Sequence, residues 1–257
     1  MAIKPILFNT EMVRAILDDR KTKTRRVIRL QPEYGEEVRL RTNKDGKLVA
    51  WFYCENPMLN PTIPSPWGGP EQEARYQPGD ILWVRETWNV NNLREKEPGE
   101  FEVGFIYAAS EAPPNGFRWV KTSEENYQKY EDGMSWHFSG WRPSIHMPKE
   151  AARIFLQVKG VNAERLQDID EDGVCDEGAE RIISACEHMD YGVMPPEPCF
   201  NVNPCKDCII NHSYPELFGK MVWDKTIKPT DLHRYGWDVN PWVWVIEFER
   251  TEQKTPF

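Results

Sequence analysis

The sequence ILFNTEMVRAILDDRKTKTRRVI, residues 6–28, combines a short apolar segment, an amphipathic helix and a basic joint that leads into a second strand. Residues 6–8 predict the first strand, and Asn9 or Thr10 can cap the helix that follows. The apolar positions of this helix recur at helical spacing: Met12, Val13, Ile16 and Leu17. We expect the helix to end near Arg20 and a strand to begin around Thr24, so that residues 21–23 form the joint.

The rest of the chain predicts mostly strands. The sequence Asn43-Lys44-Asp45-Gly46 lies between two apolar segments and indicates a hairpin. The turn Pro78-Gly79-Asp80 precedes the clearest strand pattern of the first half. Further strands are predicted at 81–88, 153–158 and 242–248, and an acidic helix is predicted from Leu166 to about Cys186. This order predicts an α+β fold.

Composition limits the class of partner. The net charge is -9, which argues against a protein that coats long nucleic acids, because counterion release needs many Lys and Arg facing the phosphates. Residues 20–29, which include the joint, are nevertheless a local basic patch with six cations and no acid. Such a patch on an acidic protein favours a small anionic or nucleotide ligand over a long duplex.

Compartment is predicted from what the sequence lacks. No run approaches the ~20 apolar residues of a membrane span, and the N-terminal residues do not have the pattern of a signal peptide. With six cysteines best explained as thiols or metal ligands, we expect a cytoplasmic protein that has no membrane partner.

The joint carries a resemblance to a known family. The order of strand, capped helix, basic joint and strand, with a Gly-Asp turn and an acidic helix further on, resembles the ASCH family of PUA-like barrels. That family carries a Gly-x-Lys-x-x-Glu-x-Arg signature after its first helix. Lys21 and Arg26 match the signature, whereas Asp19 stands in place of the Gly and Thr24 in place of the Glu.

The resemblance has consequences for the fold. It implies a single domain over residues 1–257, built as a small mixed β-barrel with flanking helices and with large insertions near 31–78, 89–145 and 187–215. Residues 79–88 and 146–151 are similar to long ASCH-like proteins of phages and prophages, which have little assigned biochemistry.

The resemblance also implies a function. Thr in place of the signature Glu is similar to small bacterial ASCH proteins that hydrolyse N(4)-acetylcytidine with a Lys, a Thr and a Glu. These three carry over to Lys21, Thr24 and Glu177, where Glu177 is placed by taking residues 169–171 as the opening of the acidic helix. The implied substrate is a modified nucleoside.

The chemistry of an amidohydrolase suits these residue types. A Thr hydroxyl is a weak nucleophile and needs a base. Lys21 can serve as that base, because neighbouring arginines and partial burial lower the pKa of a lysine. Glu177 could protonate the leaving amine, while an arginine cluster could stabilise the oxyanion or hold a phosphate. The side chains of Lys21 and Thr24 can be in contact only if the backbone between them forms a turn, because residues three apart point to opposite faces of a regular strand.

Two alternatives stay open for the basic residues. A basic segment after a helix is most often a solvated face that also favours the helix C-terminus. The chain could instead be a non-catalytic module that binds single-stranded RNA or a nucleotide. The residues predicted to contact nucleotide or phosphate are Arg20, Arg25, Arg26, Arg85 and Glu86. For the last two, a structural ion pair shielded by Trp83 and Trp88 is the simpler interpretation.

The cysteines form a second constellation. Cys205 and Cys208 have the Cys-x-x-Cys spacing that supplies two thiolates from one turn, and Cys186 and Cys199 could complete a tetrahedral zinc site. The irregular spacing leaves reduced thiols as an equal alternative. We therefore expect at most one structural zinc and no organic cofactor.

Overall fold

The computed structural model describes residues 1–32, 37–53, 71–110, 118–133, 140–179 and 213–251. The fold is mixed α and β, with strands in several sheets and few helices. The strands are β1 Ile3–Leu7, β2 Lys23–Val27, β3 Glu37–Thr42, β4 Leu48–Tyr53, β5 Glu71–Glu73, β6 Ile81–Arg85, β7 Trp88–Glu97, β8 Glu100–Tyr107, β9 Arg118–Thr122, β10 Phe155–Arg165 and β11 Trp242–Arg250. The helices are α1 Thr10–Leu17, α2 Glu124–Asp132, α3 Glu171–Asp176, α4 Tyr214–Leu217, α5 Asp224–Thr226 and α6 Leu232–Tyr235, with a π-helix at Phe218–Trp223.

Local sequence signals account for the elements around the joint. The side chain of Asn9 caps α1 by accepting a hydrogen bond from the backbone N–H of Met12 at 2.8 Å. The apolar positions Met12, Val13 and Ile16 of α1 are buried. After Asp18, Asp19 takes a left-handed backbone conformation at φ 56, which ends the helix before the basic residues begin.

The chain divides into two compact units. The first comprises Met1, residues 19–80 and residues 158–249. It holds the sheet order β10-β11-β2, with Arg26 opposite Trp244 in the antiparallel register of β2 and β11. It also holds the separate sheet β3-β4-β5. Helix α3 packs against β2 and α4, and the core of this unit includes the fully buried Ile28, Leu166, Leu217 and Ile246.

The second unit comprises residues 2–18, 81–157 and 250–257. It holds the parallel pair β1 and β6, next to which the first residues of β10 pair antiparallel. It also holds the sheet β7-β8-β9. Its main apolar cluster includes the buried Trp88, Phe105, Tyr107, Met147 and Phe155.

The hairpin prediction is confirmed. Strands β3 and β4 pair antiparallel on either side of the predicted turn. Within the turn, the Asn43 side chain accepts hydrogen bonds from the backbone N–H groups of Asp45 and Lys47, and Gly46 has φ 73. A side-chain acceptor and a left-handed glycine are the two devices that this kind of turn requires.

The described part of residues 89–145, which the resemblance implies is an insertion, has regular secondary structure. It contains β8, β9, α2 and most of β7. The sheet β7-β8-β9 is not predicted from the sequence pattern because the outer part of β7 is strongly polar. Charged pairs such as Arg94 with Glu102 stabilise this part across the strands.

Two further expectations differ from the structure. The acidic helix ends at Asp176 rather than near Cys186, because Gly178 takes a left-handed conformation at φ 68 just after it. No closed barrel is formed by the described strands. The small PUA-like barrel therefore stays a prediction.

Candidate functional site

The joint between α1 and β2 docks onto the C-terminal end of α3. The backbone N–H of Thr22 donates to the carbonyl of Asp176 at 2.8 Å, and the Thr22 hydroxyl donates to the Asp176 carboxylate at 2.9 Å. The ammonium of Lys23 forms an ion pair with the same carboxylate at 2.7 Å. A helix C-terminus offers unpaired carbonyls and partial negative charge, so a basic segment is a favourable partner for it.

Lys21 lies at the centre of this contact. Its side chain is 1% exposed, and its Nζ donates to the carbonyls of Lys23 at 2.7 Å and Glu177 at 2.9 Å and to Oε2 of Glu177 at 2.5 Å. An ammonium has three hydrogens, and these contacts supply an oxygen for each. Burial lowers the pKa of Lys21, and the Glu177 carboxylate opposes that effect.

Glu177 is held in place by the way α3 ends. The backbone N–H of Ala179 donates to the carbonyl of Val174, and that of Gly178 donates to the carbonyl of Cys175. This is the Schellman pattern of helix termination, with Gly178 as the left-handed residue. It makes Glu177 the C-cap residue of α3, 4% exposed.

The Lys21–Glu177 pair also completes the free edge of β2. Backbone bonds to β11 involve Thr22 and Ile28, so the odd-numbered residues of β2 direct their backbone groups away from β11. The carbonyl of Lys23 accepts from Lys21 Nζ, and the N–H of Arg25 donates to Oε1 of Glu177 at 2.6 Å. Two side chains thus provide the partners that a neighbouring strand would otherwise supply.

Arg25 belongs to the same network. Its guanidinium is 5% exposed and contacts Glu164 Oε1 at 2.8 Å through both Nε and NH2. Its NH1 lies 3.4 Å from both Glu177 Oε1 and the carbonyl of Gly173. The structure therefore places this predicted phosphate ligand between two carboxylates, which satisfy its charge inside the protein.

Thr24 and Arg26 lie on one face of β2, since they are two residues apart. Thr24 is 1% exposed, and its hydroxyl oxygen accepts a hydrogen bond from NH1 of Arg26 at 3.0 Å. The same NH1 donates to the carbonyl of Arg25 at 3.0 Å. Burial lowers the pKa of Arg26, whereas the charge of the Glu177 carboxylate opposes this change. Lys21, Thr24 and Glu177 are thus brought into one buried region of the first unit.

Of the other predicted ligands, Arg20 directly precedes Lys21 and is half-buried. Arg85 and Glu86 belong to the second unit, where Arg85 stacks on the ring of Trp83 and donates to the carbonyl of Ile145. Glu86 is 1% exposed and forms a two-pronged ion pair with Arg153, a residue that the sequence analysis did not single out. Glu86 therefore has a structural partner, as the simpler interpretation holds, but that partner is not Arg85.

The predicted zinc ligands Cys186, Cys199, Cys205 and Cys208 lie outside the described residues. Cys175 lies within the described residues and is exposed. Within the described ranges, no group of three or more His, Cys, Asp or Glu is placed to hold a metal ion.

The sequence analysis missed Glu164 and Asp176, which partner Arg25 and Lys23. Both residues belong to the predominantly acidic sequence of residues 164–180. The signal was the complementarity between the basic residues 20–29 and the predominantly acidic residues 164–180, which favours docking of one segment on the other.

Gly178→Ala tests how far the end of α3 controls this site. A non-glycine residue in the left-handed region costs about 1 kcal/mol or more, so we expect a loss of about 1 kcal/mol in the free energy of unfolding. Gly46→Ala is the matched control, since Gly46 has nearly the same φ of 73 but lies in the β3–β4 turn. Urea denaturation should give similar losses for both variants. If Gly178→Ala were neutral, the Schellman turn would not be holding Glu177.

Comparison with known proteins identifies no relative of this chain. None of the described helices is long and apolar enough to span a membrane. No family model, no curated protein and no solved structure matches this chain.

Proposed function

We propose that the protein is an amidohydrolase of the ASCH type, with a PUA-like fold, that removes the acyl group from an N(4)-acylated cytidine nucleoside. Thr24 is the nucleophile, Lys21 the base and Glu177 the acid. The observation that carries the proposal is the buried contact of 2.5 Å between Lys21 Nζ and Glu177 Oε2. Lys21 lies three residues before Thr24 in the sequence. The signature resemblance of residues 19–26 supports it.

The buried pair can supply both proton transfers of acylation. When the Lys21 proton passes to Glu177, the pair becomes a neutral amine and a neutral carboxylic acid. The amine takes the Thr24 proton as Oγ1 attacks the acetyl carbon. The acid gives its proton to the cytosine nitrogen as the C–N bond breaks. Cytidine then leaves and an acetyl ester on Thr24 stays behind.

Deacylation runs through the same groups. Glu177, again a carboxylate, takes a proton from the water that attacks the ester carbonyl. Lys21, again an ammonium, returns a proton to Thr24 as the ester bond breaks. Acetic acid leaves and loses its proton to solvent, so the cycle consumes one water.

Two features of the site bear on this cycle. Because burial lowers the pKa of Lys21, its neutral form is more accessible at pH 7 than that of an exposed lysine. Because Thr24 is 1% exposed, the acyl group must displace a neighbouring group to reach Oγ1. A buried site also excludes bulk water from the charged pair.

The alternative of a non-catalytic RNA- or nucleotide-binding module has less support from the geometry. The Arg25 guanidinium contacts Glu164 and Glu177, and the Lys23 ammonium contacts Asp176. Cations that already have protein carboxylates as partners release few counterions when they meet phosphate.

Hydrolysis of N(4)-acetylcytidine by the purified protein is the direct test. We expect Lys21→Met and Thr24→Val each to lower kcat/KM by about 10²- to 10⁴-fold, because each removes a group that acts in the transition state. Lys23→Ala is the matched control: this lysine lies on the same joint, is 35% exposed, and should retain activity within about threefold. Cytidine release is followed by chromatography. Wild-type turnover no higher than that of Lys21→Met would contradict the proposal.

A further inference from the structure

Arg26 makes a contact that the hydrolytic cycle above does not use. Its NH1 group is shared between the hydroxyl oxygen of Thr24 and the carbonyl of Arg25, each at 3.0 Å. The hydrogen bond to the carbonyl of Arg25 anchors the guanidinium to the free edge of β2. The guanidinium therefore donates to Thr24 from a fixed position. Both of these partners belong to the same strand as Arg26.

The direction of this hydrogen bond matters for a nucleophile. A hydroxyl has one hydrogen to donate and two lone pairs to accept with. When a guanidinium occupies one lone pair, the Thr24 hydrogen must point toward some other group, where a base can take it. The oxygen that remains after deprotonation would then face a cation, and charge-assisted hydrogen bonds are about twice as strong as neutral ones.

We infer that Arg26 is a positioning residue for Thr24, whose guanidinium orients the hydroxyl and stabilises the negative charge that develops on its oxygen. This role differs from the phosphate contact that the sequence alone suggested for Arg26, and it rests on the proposed function. The surroundings of the Arg26 guanidinium are partly desolvated. This strengthens the interaction, because the attraction between opposite charges is stronger in a medium of low dielectric constant than in water. The lowered pKa of Arg26 reflects the same desolvation.

Kinetics give the first test. Arg26→Gln should lower kcat for N(4)-acetylcytidine by about 10- to 100-fold and change KM by less than about threefold, because the lost interaction grows as the alkoxide forms. Arg26→Lys keeps the charge and should recover part of the loss. Arg29→Gln is the matched control, because Arg29 is an exposed cation three residues along the chain and should behave as wild type. A raised KM with unchanged kcat would overturn the inference.

A second test does not depend on turnover. In Thr24→Cys, the guanidinium of Arg26 should lower the pKa of the introduced thiol, as a neighbouring cation does for other cysteines. Thiolate absorbance near 240 nm is titrated as a difference against the parent protein, which cancels the six native cysteines. We expect the thiol pKa to rise by about one or more when Arg26→Gln is added to Thr24→Cys. Equal thiol pKa values in the two proteins would overturn the positioning role.

The two tests separate the two proposals. If the wild type shows no hydrolysis but the thiol pKa still depends on Arg26, the proposed reaction is wrong and the arginine's action on residue 24 stands. If hydrolysis occurs and the thiol pKa is the same with and without Arg26, the reaction stands and this inference is wrong.

Discussion

Glu177→Leu is expected to lower the free energy of unfolding by about 3–5 kcal/mol, the cost of leaving a buried charge without its partner. The variant would strand the Lys21 ammonium, whose side chain is 1% exposed, and would also remove the acceptor of the Arg25 backbone N–H. Urea denaturation measures the loss. The exposed pair Lys159–Glu249 gives the control, since Glu249→Ala should cost less than about 1 kcal/mol.

A double-mutant cycle isolates the pair. Removal of both charges in Lys21→Met, Glu177→Leu should be less destabilising than the sum of the two single variants, because neither residue then leaves an unpaired buried ion. The double variant should also be inactive, which separates folding from catalysis. Additive losses would mean that the two charges do not interact as the distance of 2.5 Å implies.

The sequence predicts the secondary structure around the site because the residues that specify each element lie within that element or next to it. The Asn9 cap, the apolar positions of α1 and the Asn43–Gly46 turn each act within a few residues. Their prediction therefore needed no knowledge of the rest of the fold. The joint at residues 21–23 followed in the same way, from the end of α1 and the β-branched residues after it.

Long-range partnerships could not be predicted in this way. Arg25 and Glu164 are distant in sequence, and nothing in either segment specifies which acid meets which base. Glu177 entered the candidate site through a family resemblance, whereas its position at the end of α3 depends on the left-handed Gly178. The sequence predicts a helix that is about ten residues longer, because the stop signal after Asp176 is a glycine, which a helical segment can also tolerate.

Glu86 in the second unit is a buried charge whose carboxylate has its partner within the protein. It is 1% exposed, and both of its carboxylate oxygens accept hydrogen bonds from Arg153 at 2.8 Å. Arg153 also donates to the Ser110 hydroxyl at 2.7 Å and lies 4.1 Å from the centre of the Tyr107 ring. All the polar atoms of the carboxylate are thus used within the protein, which is the arrangement of a structural ion pair.

Glu86→Leu is therefore expected to cost about 3 kcal/mol in the free energy of unfolding while leaving the Lys21 site unchanged. The loss should fall at the lower end of the range for buried pairs, because Arg153 is 19% exposed and keeps its contacts with Ser110 and Tyr107. Ser110→Ala removes one neutral partner of the same arginine and should cost about 1 kcal/mol. Urea denaturation gives both losses, and hydrolysis assayed well below the unfolding midpoint reports on the site. A fall in kcat/KM of more than about tenfold in folded Glu86→Leu would show that Glu86 acts in function and that its pairing with Arg153 is not merely structural.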